Sequence, residues 1–556
     1  MKRFQLRFLT LAILAVFGLY SCTDLKIEET DSFISEGFQG LADPQSALDQ
    51  LYNQIGGQLG DQANTYALNV VTTDEQLIPT RGADWGDNGR WRKLHQHEWG
   101  LEETDIITPF DQWNANQLLA SQILDERSAA PSGVAAQAHF LRAYSMFLIL
   151  DLYGQVPFRD TQLSSSELPT VLTGGDAVDF IIGDLDAAIS GLPAEPAGTG
   201  LQNQASKAAA RFLKAKVLLN KDVYENQLAP TPEPFLPSPT DLQEVVNLVD
   251  AIAADGYALQ EGYFDIFQSS PDSETIWYIT SGNTGNRIFN GLHYNSTSNG
   301  GGGWNGFSTL AEFYDLFEGD PNSNRYDGDI EDQVALDGQE ERRGGVPSLG
   351  VPFTDAPGTG NGGDDNPGGV YETGSNVGLG FLVGQQFALD GTPLQDRQGA
   401  PLAFTREFVD GDGNPNLINN NEITGIRVQK YQARFDGGFT GHVLVMRYAD
   451  AHLMKAEAIL RGASGGDATA LVNELRNIRG AQPLGSVTEQ DLLDERGREL
   501  YIEGWRRNDM IRFGQYGRQW EFKSADQTDN PARRLFPIPL PQLLANPALV
   551  QNPGYN

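Results

Sequence analysis

The chain has 556 residues and a formal net charge of −35, with 74 acidic side chains against 39 basic ones. Such an acidic body repels nucleic acid and anionic polysaccharides and is compatible with neutral ligands. A hydrophobic share of 40% fits a folded protein with a sizeable core, and the single cysteine excludes an internal disulfide, a cysteine zinc site and a cysteine nucleophile beyond residue 22.

Lys2, Arg3 and Arg7 precede an apolar run, Phe8 to Leu19, that is too short for a comfortable membrane span and has the shape of a signal-peptide core. Leu19-Tyr20-Ser21-Cys22 follows at once and looks like a lipoprotein box. Residues 1–21 are therefore expected to be a cleaved signal peptide, with Cys22 carrying the lipid and residues 22–38 forming an acidic tether. Loss of residues 1–21, which carry three bases and no acid, leaves a charge of −38.

Helical patterns dominate residues 39–255. Asp43 is a candidate N-cap for a helix from Pro44 to Leu59, and periodicity predicts others over Thr108 to Arg127, Asp176 to Ser190 and Thr240 to Ala254. His95 and His97 are spaced as on a strand and, without a third ligand nearby, read as structural or surface residues. One pattern recurs: Ala138-His139-Phe140-Leu141-Arg142-Ala143, Ala210-Arg211-Phe212-Leu213-Lys214-Ala215 and Ala451-His452-Leu453-Met454-Lys455-Ala456. With Ala136, Ala208 and Ala449 added, each copy places small, large and small residues on one helix face. Tetratricopeptide repeats use this spacing to pack helix pairs.

Residues 256–445 are rich in Gly, Asn and Asp, with short strand-like runs such as Thr275 to Ile279 and long loops at Gly300 to Gly303 and Gly344 to Gly369. Asp410-Gly411-Asp412-Gly413-Asn414-Pro415-Asn416 resembles half of a calcium loop. Pro415 replaces the required glycine and Asn421 the final glutamate, so an acidic turn is the better reading and no metal or other cofactor is assigned. Residues 446–556 return to helix, including Ala468 to Arg479. The expected fold is mainly α: a tetratricopeptide-like helical repeat scaffold, begun by 39–255 and completed by 446–556, with a loop-rich inserted region containing short strands.

Near the C-terminus, Met446 to Ala458 resembles the RYAE-x-LLM-x-AEA helix of SusD/RagB proteins, and Leu475-Arg476-Asn477-Ile478-Arg479-Gly480-Ala481 their N-x-[IV]-R-x-R-A segment. Glu495 to Leu500 and Glu503 to Gly514 resemble their ER-x-x-EL-x-x-EG-x-R-x-x-DLIRWG signature, with Phe513 in place of its tryptophan and Met510 in place of its leucine. Phe536-Pro537-Ile538-Pro539, Asn546-Pro547 and Gln551 to Tyr555 match their terminal motifs, Thr73-Asp74-Glu75 their TDE, and Leu150 to Phe158 their YGdVPy. The resemblance implies a non-enzymatic, lipid-anchored receptor on the outer membrane. Such a receptor binds polysaccharide or oligosaccharide and delivers it to a SusC-like TonB-dependent transporter.

The signature residues Glu495, Arg498, Glu499, Glu503 and Arg506 also read as a ladder of ion pairs along one helix. Their arginines argue against paired catalytic carboxylates, because a nearby cation spoils a general acid. A surface-anchored glycoside hydrolase or lyase is the alternative function, and would need two carboxylates across a cleft. A repeat scaffold that binds only protein is a third reading.

A neutral sugar needs aromatic platforms and planar hydrogen-bonding groups. Two loops carry both. Arg81 to Trp91 supplies Arg81, Asp84, Trp85, Asn88 and Trp91; Asn290 to Phe307 supplies Tyr294, Trp304 and Asn305, with His293 and Asn295 among them. Trp113 and Trp277 sit in periodic apolar segments and are expected in the core. Trp85 and Trp304 do not, which favours exposure on one common face, and Trp91 stands between the two cases as the possible start of a packed segment ending at Trp99.

Overall fold

The computed structural model describes residues 37–164, 166–228, 235–267, 271–280, 291–296, 303–321, 339–344, 380–386, 393–431 and 442–555. The expected signal peptide, Cys22, most of the expected tether and most of the two glycine-rich loops lie outside these residues.

The first half includes the helices α1 (Pro44–Gly60), α2 (Arg90–Gln96), α3 (Thr104–Leu124), α4 (Ser132–Tyr153), α5 (Gly174–Gly191), α6 (Lys207–Leu219) and α7 (Pro239–Ala254). The C-terminal part contributes α8 (Tyr448–Leu460), α9 (Ala468–Ile478), α10 (Glu489–Leu500) and α11 (Arg506–Arg512). Asp43 caps α1 by accepting from the Ser46 amide, and Ser206 and Ser238 cap α6 and α7 in the same way. The helix expected to start at Thr108 begins a turn earlier at Thr104, so Pro109 lies inside it as the sixth residue and forgoes one bond to the Asp105 carbonyl.

Successive helices pack as neighbours: α3 on α4, α4 on α5, α5 on α6, α6 on α7, α7 on α8 and α8 on α9. The three copies of the repeated pattern lie on α4, α6 and α8. Their small residues, among them Ala138, Ala210 and Ala451, are fully buried, as are Phe140, Phe212 and Leu453. Small side chains let the adjacent helix approach while the large one fills the gap. The basic residue of each copy pairs with an aspartate of a neighbouring helix: Arg142 with Asp184 on α5 at 2.7 Å, Lys214 with Asp186 on α5 at 2.6 Å, and Lys455 with Asp250 on α7 at 2.5 Å.

The loop-rich region leaves after α7 and returns before α8. Strand Thr275–Thr280 pairs antiparallel with His442–Arg447, which runs directly into α8. The described strands form two-stranded antiparallel pairs, and in this region aromatic residues including Phe264, Phe313, Phe317 and Phe381 build a second core against Tyr501.

The signature residues do not form a ladder on one helix. Helix α10 ends at Leu500, so Glu503 and Arg506 lie beyond its end. The buried charges converge in space instead. Glu499 accepts from Arg342, Arg447 and Arg479, and Glu495 from Arg342, Arg476 and Arg498. Burial alone would raise the Glu495 carboxyl, but these arginines outweigh it and hold the group down at about 2. A second hub joins the repeats: Asp450 of α8 accepts from Lys216 of α6 and from Arg496 of α10, each at 2.7–2.8 Å.

The distant motifs dock on the same frame. Asp74 accepts from Arg506 at 2.7–2.8 Å and from Arg518. At the C-terminus Asn552 donates to the carbonyls of Tyr153 and Phe536, and Trp99 donates to the Tyr555 hydroxyl at 2.7 Å. His95 and His97 are not on a strand: His95 lies in α2 and His97 is its left-handed C-cap. Both rings are buried and bonded to backbone carbonyls of Val71, Glu521 and Thr72.

Candidate functional site

The loop that follows the docked Asp74 and Glu75 turns sharply. Trp85, Asp87 and Asn88 adopt positive φ of 58°, 34° and 53°, and across the site Asn305 does the same at 54°. Left-handed backbone at non-glycine residues costs free energy and persists where surrounding contacts enforce it. At Asn305 those contacts come from two arginines, the first of them Arg81. Its guanidinium is buried and donates to the carbonyls of Asn305, Asn421 and Thr424 and to the hydroxyls of Ser308 and Thr424. All five donors are spent on two loop segments, 305–308 and 421–424. Arg427, also buried, ties the same segments through the Asn305 amide oxygen and the carbonyls of Glu422, Thr424 and Gly425. Burial without a carboxylate partner lowers the Arg81 pKa to about 9.

Three of the expected contact residues therefore lie beneath the surface. Arg81 has no donor left for a ligand. Asn305 is fully buried, with its amide committed to Glu422 and Arg427. Trp91 is 1% exposed, and its indole donates to Asp87 at 2.8 Å. Asn88 is exposed at the rim, on the turn leading into α2.

The remaining residues meet on one face. Of the eight tryptophans only Trp304 is exposed, at 55%; Trp85 is half-buried and the other six are buried, Trp113 and Trp277 among them. The Trp85 indole donates to the Trp304 carbonyl at 2.7 Å, and its ring meets Trp91 and Phe307 edge to face at 5.9 and 5.8 Å. Gly306 makes room for this: a Cβ there would lie 2.3 Å from the Trp85 ring. Beside Trp85, Asp84 accepts from the Tyr294 hydroxyl at 2.7 Å and from Arg397 at 2.9 Å. Burial and the Asp84 carboxylate together push the Tyr294 phenol up to about 12. Arg397 lies 4.0 Å from the centroid of the Tyr294 ring and donates also to Glu422, which in turn holds His293 at 3.0 Å. Burial would raise Glu422, but its hydrogen bonds from Arg397 and His293 prevail and lower it.

Arg397 and Glu422 were not among the residues expected from sequence. They sit in short polar turns without periodicity or motif. The only local signal for Arg397 is the turn itself, in which Asp396 accepts from the Gln398 and Ala400 amides. The Asp410 turn closes in the same manner: its carboxylate accepts from the amides of Asp412 and Asn414. Among the described residues no cluster of three His, Cys, Asp or Glu side chains could hold a metal ion. A groove of about 360 Å³ elsewhere, between Phe110, Gln117, Pro157, Leu168 and Asn546, shares no residue with this face and has no exposed aromatic ring.

The sequence pattern of the SusD family matches residues 273–555. Over 98% of both chains, the protein is 26% identical to the starch-binding protein SusD of Bacteroides thetaiotaomicron. Its fold is similar to that of a SusD-like protein from Bacteroides fragilis (TM-score 0.64, 19% identity, 94% of this chain and 98% of the other). It is also similar to surface glycan-binding protein A from Bacteroides thetaiotaomicron, solved in complex with laminarihexaose (TM-score 0.61, 16% identity, 92% and 98%). The motifs that resembled SusD/RagB proteins are the residues that build the buried ion network and the terminal clasp, and this chain belongs to the SusD family.

Proposed function

We propose that this protein is a cell-surface receptor that captures a neutral polysaccharide or oligosaccharide and passes it to a SusC-like TonB-dependent transporter. The observation that carries the reading is Trp304. It is a lone exposed indole on a loop fastened from below by Trp85 and Arg81. An exposed aromatic platform on a frame that needs no reorganisation is what stacking against a pyranose ring requires. Asp84, Tyr294 and Arg397 supply polar groups beside it. A starch-binding relative and a similarly folded protein holding laminarihexaose support a glycan as the ligand.

Binding without catalysis is part of the same proposal. The signature carboxylates Glu495 and Glu499 are buried among arginines that keep them ionised, so neither is a proton donor at neutral pH. Lipid attachment at Cys22 would hold the receptor at the outer membrane. No described helix is long and apolar enough to cross a bilayer. Native affinity gels containing starch, xylan, mannan, β-glucan or alginate test the reading. Retardation is expected in a neutral gel and not in alginate. Retardation by alginate alone would reject the neutral ligand, and release of reducing ends from any of them would reject a pure receptor.

A further inference from the structure

We infer that Asp84 and Arg397 form a donor–acceptor clamp that reads two adjacent hydroxyls of the sugar seated by Trp304, so that the site selects chains whose internal units carry a free vicinal diol. The inference rests on the proposed glycan face and names the chemical feature that it recognises.

The geometry is that of a half-filled network. Asp84 uses one carboxylate oxygen, Oδ2, for both the Tyr294 hydroxyl and Arg397 Nη2. No described residue occupies its Oδ1, and the side chain is 34% exposed. Arg397 spends Nε on Glu422 and one Nη2 hydrogen on Asp84; no described residue takes Nη1, and the side chain is 46% exposed. Glu422, in contrast, is filled: Oε1 takes Arg397, and Oε2 takes His293 and the Arg397 amide. Thus Glu422 anchors, while Asp84 and Arg397 each keep a group that no described residue uses, on partly exposed side chains.

The guanidinium cannot swing away. Two carboxylates grip its edge, and the Tyr294 ring lies 4.0 Å from it. A fixed acceptor beside a fixed donor matches a pair of neighbouring hydroxyls, each of which can donate and accept. A lone hydroxyl between two substituted carbons must serve both groups from a single oxygen, whereas a vicinal pair gives each group its own. Asp84 directly precedes Trp85, whose indole holds the Trp304 backbone, so the clamp and the platform belong to one continuous face. Internal units of 1,4-linked glucans, xylans and mannans carry a free 2,3-diol, whereas those of 1,3-linked glucans carry none.

Isothermal titration of the full mature chain with maltohexaose, cellohexaose, xylohexaose, mannohexaose and laminarihexaose tests this. At least one 1,4-linked hexasaccharide should bind about tenfold or more tightly than laminarihexaose. Arg397→Ala should remove that preference and weaken the 1,4-linked ligand by about tenfold or more. Arg397→Lys keeps the charge without the fork and should restore only a minor part; full restoration would reject the clamp. Equal affinity of Arg397→Ala and the wild type, with loss in Trp304→Ala, would overturn the clamp and leave the face standing. Unchanged binding in both variants would overturn the face itself. A wild type that binds laminarihexaose alone, or no member of the panel, would also overturn the inference. Circular dichroism melts of each variant identify any loss that comes from unfolding, in which case Asp84→Asn and Arg397→Gln, which keep side-chain volume, decide the outcome by the same titration.

Discussion

Trp85 and Trp304 are 219 positions apart in sequence, yet the indole of the first donates to the backbone carbonyl of the second at 2.7 Å. The two rings therefore have different duties. In the proposed site Trp85 is a support packed on Trp91 and Phe307, and Trp304 is the platform. The contact depends on Gly306, where a methyl group would lie 2.3 Å from the Trp85 ring. Gly306→Ala should displace Trp85 and cost about 1–3 kcal/mol by overpacking. It should weaken glycan binding although no ligand-contacting atom is removed. A thermal melt and a titration with the bound hexasaccharide, run together, check this; unchanged affinity would show that Trp85 does not position the platform.

Trp304→Ala should behave oppositely. With 55% of the residue exposed, little packing is lost and stability should change by about 0.5 kcal/mol or less. Affinity should fall about tenfold, the worth of one aromatic contact. Urea denaturation beside calorimetric titration separates the two effects. A destabilised variant with intact affinity would make Trp304 a packing residue.

The scaffold was legible because its signals are periodic. Ala138, Ala210 and Ala451 recur with a large residue two positions on, and a helix with that pattern has one way to bury it. The site was legible only at its aromatic surface. Trp85 and Trp304 stood out as tryptophans among glycines. Arg81, Asn305 and Trp91 have the same composition but face inward, because left-handed loops need buried donors and acceptors to hold them, and local sequence does not distinguish a strut from a contact. Arg397 and Glu422 were invisible for a related reason: their partners Asp84, Tyr294 and His293 come from more than a hundred positions away, or from an unpatterned turn. The ladder expected for Glu495 to Arg506 failed at Leu500, where α10 ends and the chain turns back on itself.

Asp450 joins three helices that are far apart in sequence. It takes Lys216 from α6 and Arg496 from α10, with almost no exposure on any of the three. Asp450→Ala leaves two buried cations without this partner and should cost about 3–5 kcal/mol. Asp450→Asn keeps the shape and should also destabilise. Chemical denaturation measures both; a change below about 1 kcal/mol in either would show that the hub adds no net stability.

Cys22→Ala should prevent lipid attachment. The expected outcome is a shift of the protein from the membrane fraction to the soluble fraction, with glycan binding in native gels unchanged. Continued membrane fractionation of the variant would place the anchor elsewhere.

Glu75 gives the protein a pH dependence of unusual sign. Burial raises its carboxyl to about 8, against an ordinary value of 4.5, although Ile502 donates its amide to one oxygen and Arg506 and Lys430 oppose the shift. The other oxygen, Oε2, is buried without a partner among the described residues, and the adjacent Asp74, which is held low by Arg506 and Arg518, adds negative charge. A folded-state pKa above the unfolded one means that the native protein holds the proton more tightly. The stabilisation is complete below about pH 4.5 and is lost as pH rises through about 8, with a slope of at most ~1.4 kcal/mol per pH unit. The buried carboxylate Glu495, in the arginine cluster, has the reverse sign: held near 2, it stabilises above its ordinary pKa, and that contribution is lost as pH falls through about 2. Between pH 5 and 9 the difference between wild type and Glu75→Gln therefore reports Glu75 together with its coupling to Lys430, which burial lowers to about 8, while Lys216 and Lys523 titrate in the same range in both proteins. Urea midpoints at pH 5, 7 and 9 should fall for the wild type relative to the variant, which carries a neutral amide at every pH. Parallel midpoints across the series would show that Glu75 is already ionised in the native fold, and that water or a local rearrangement solvates Oε2.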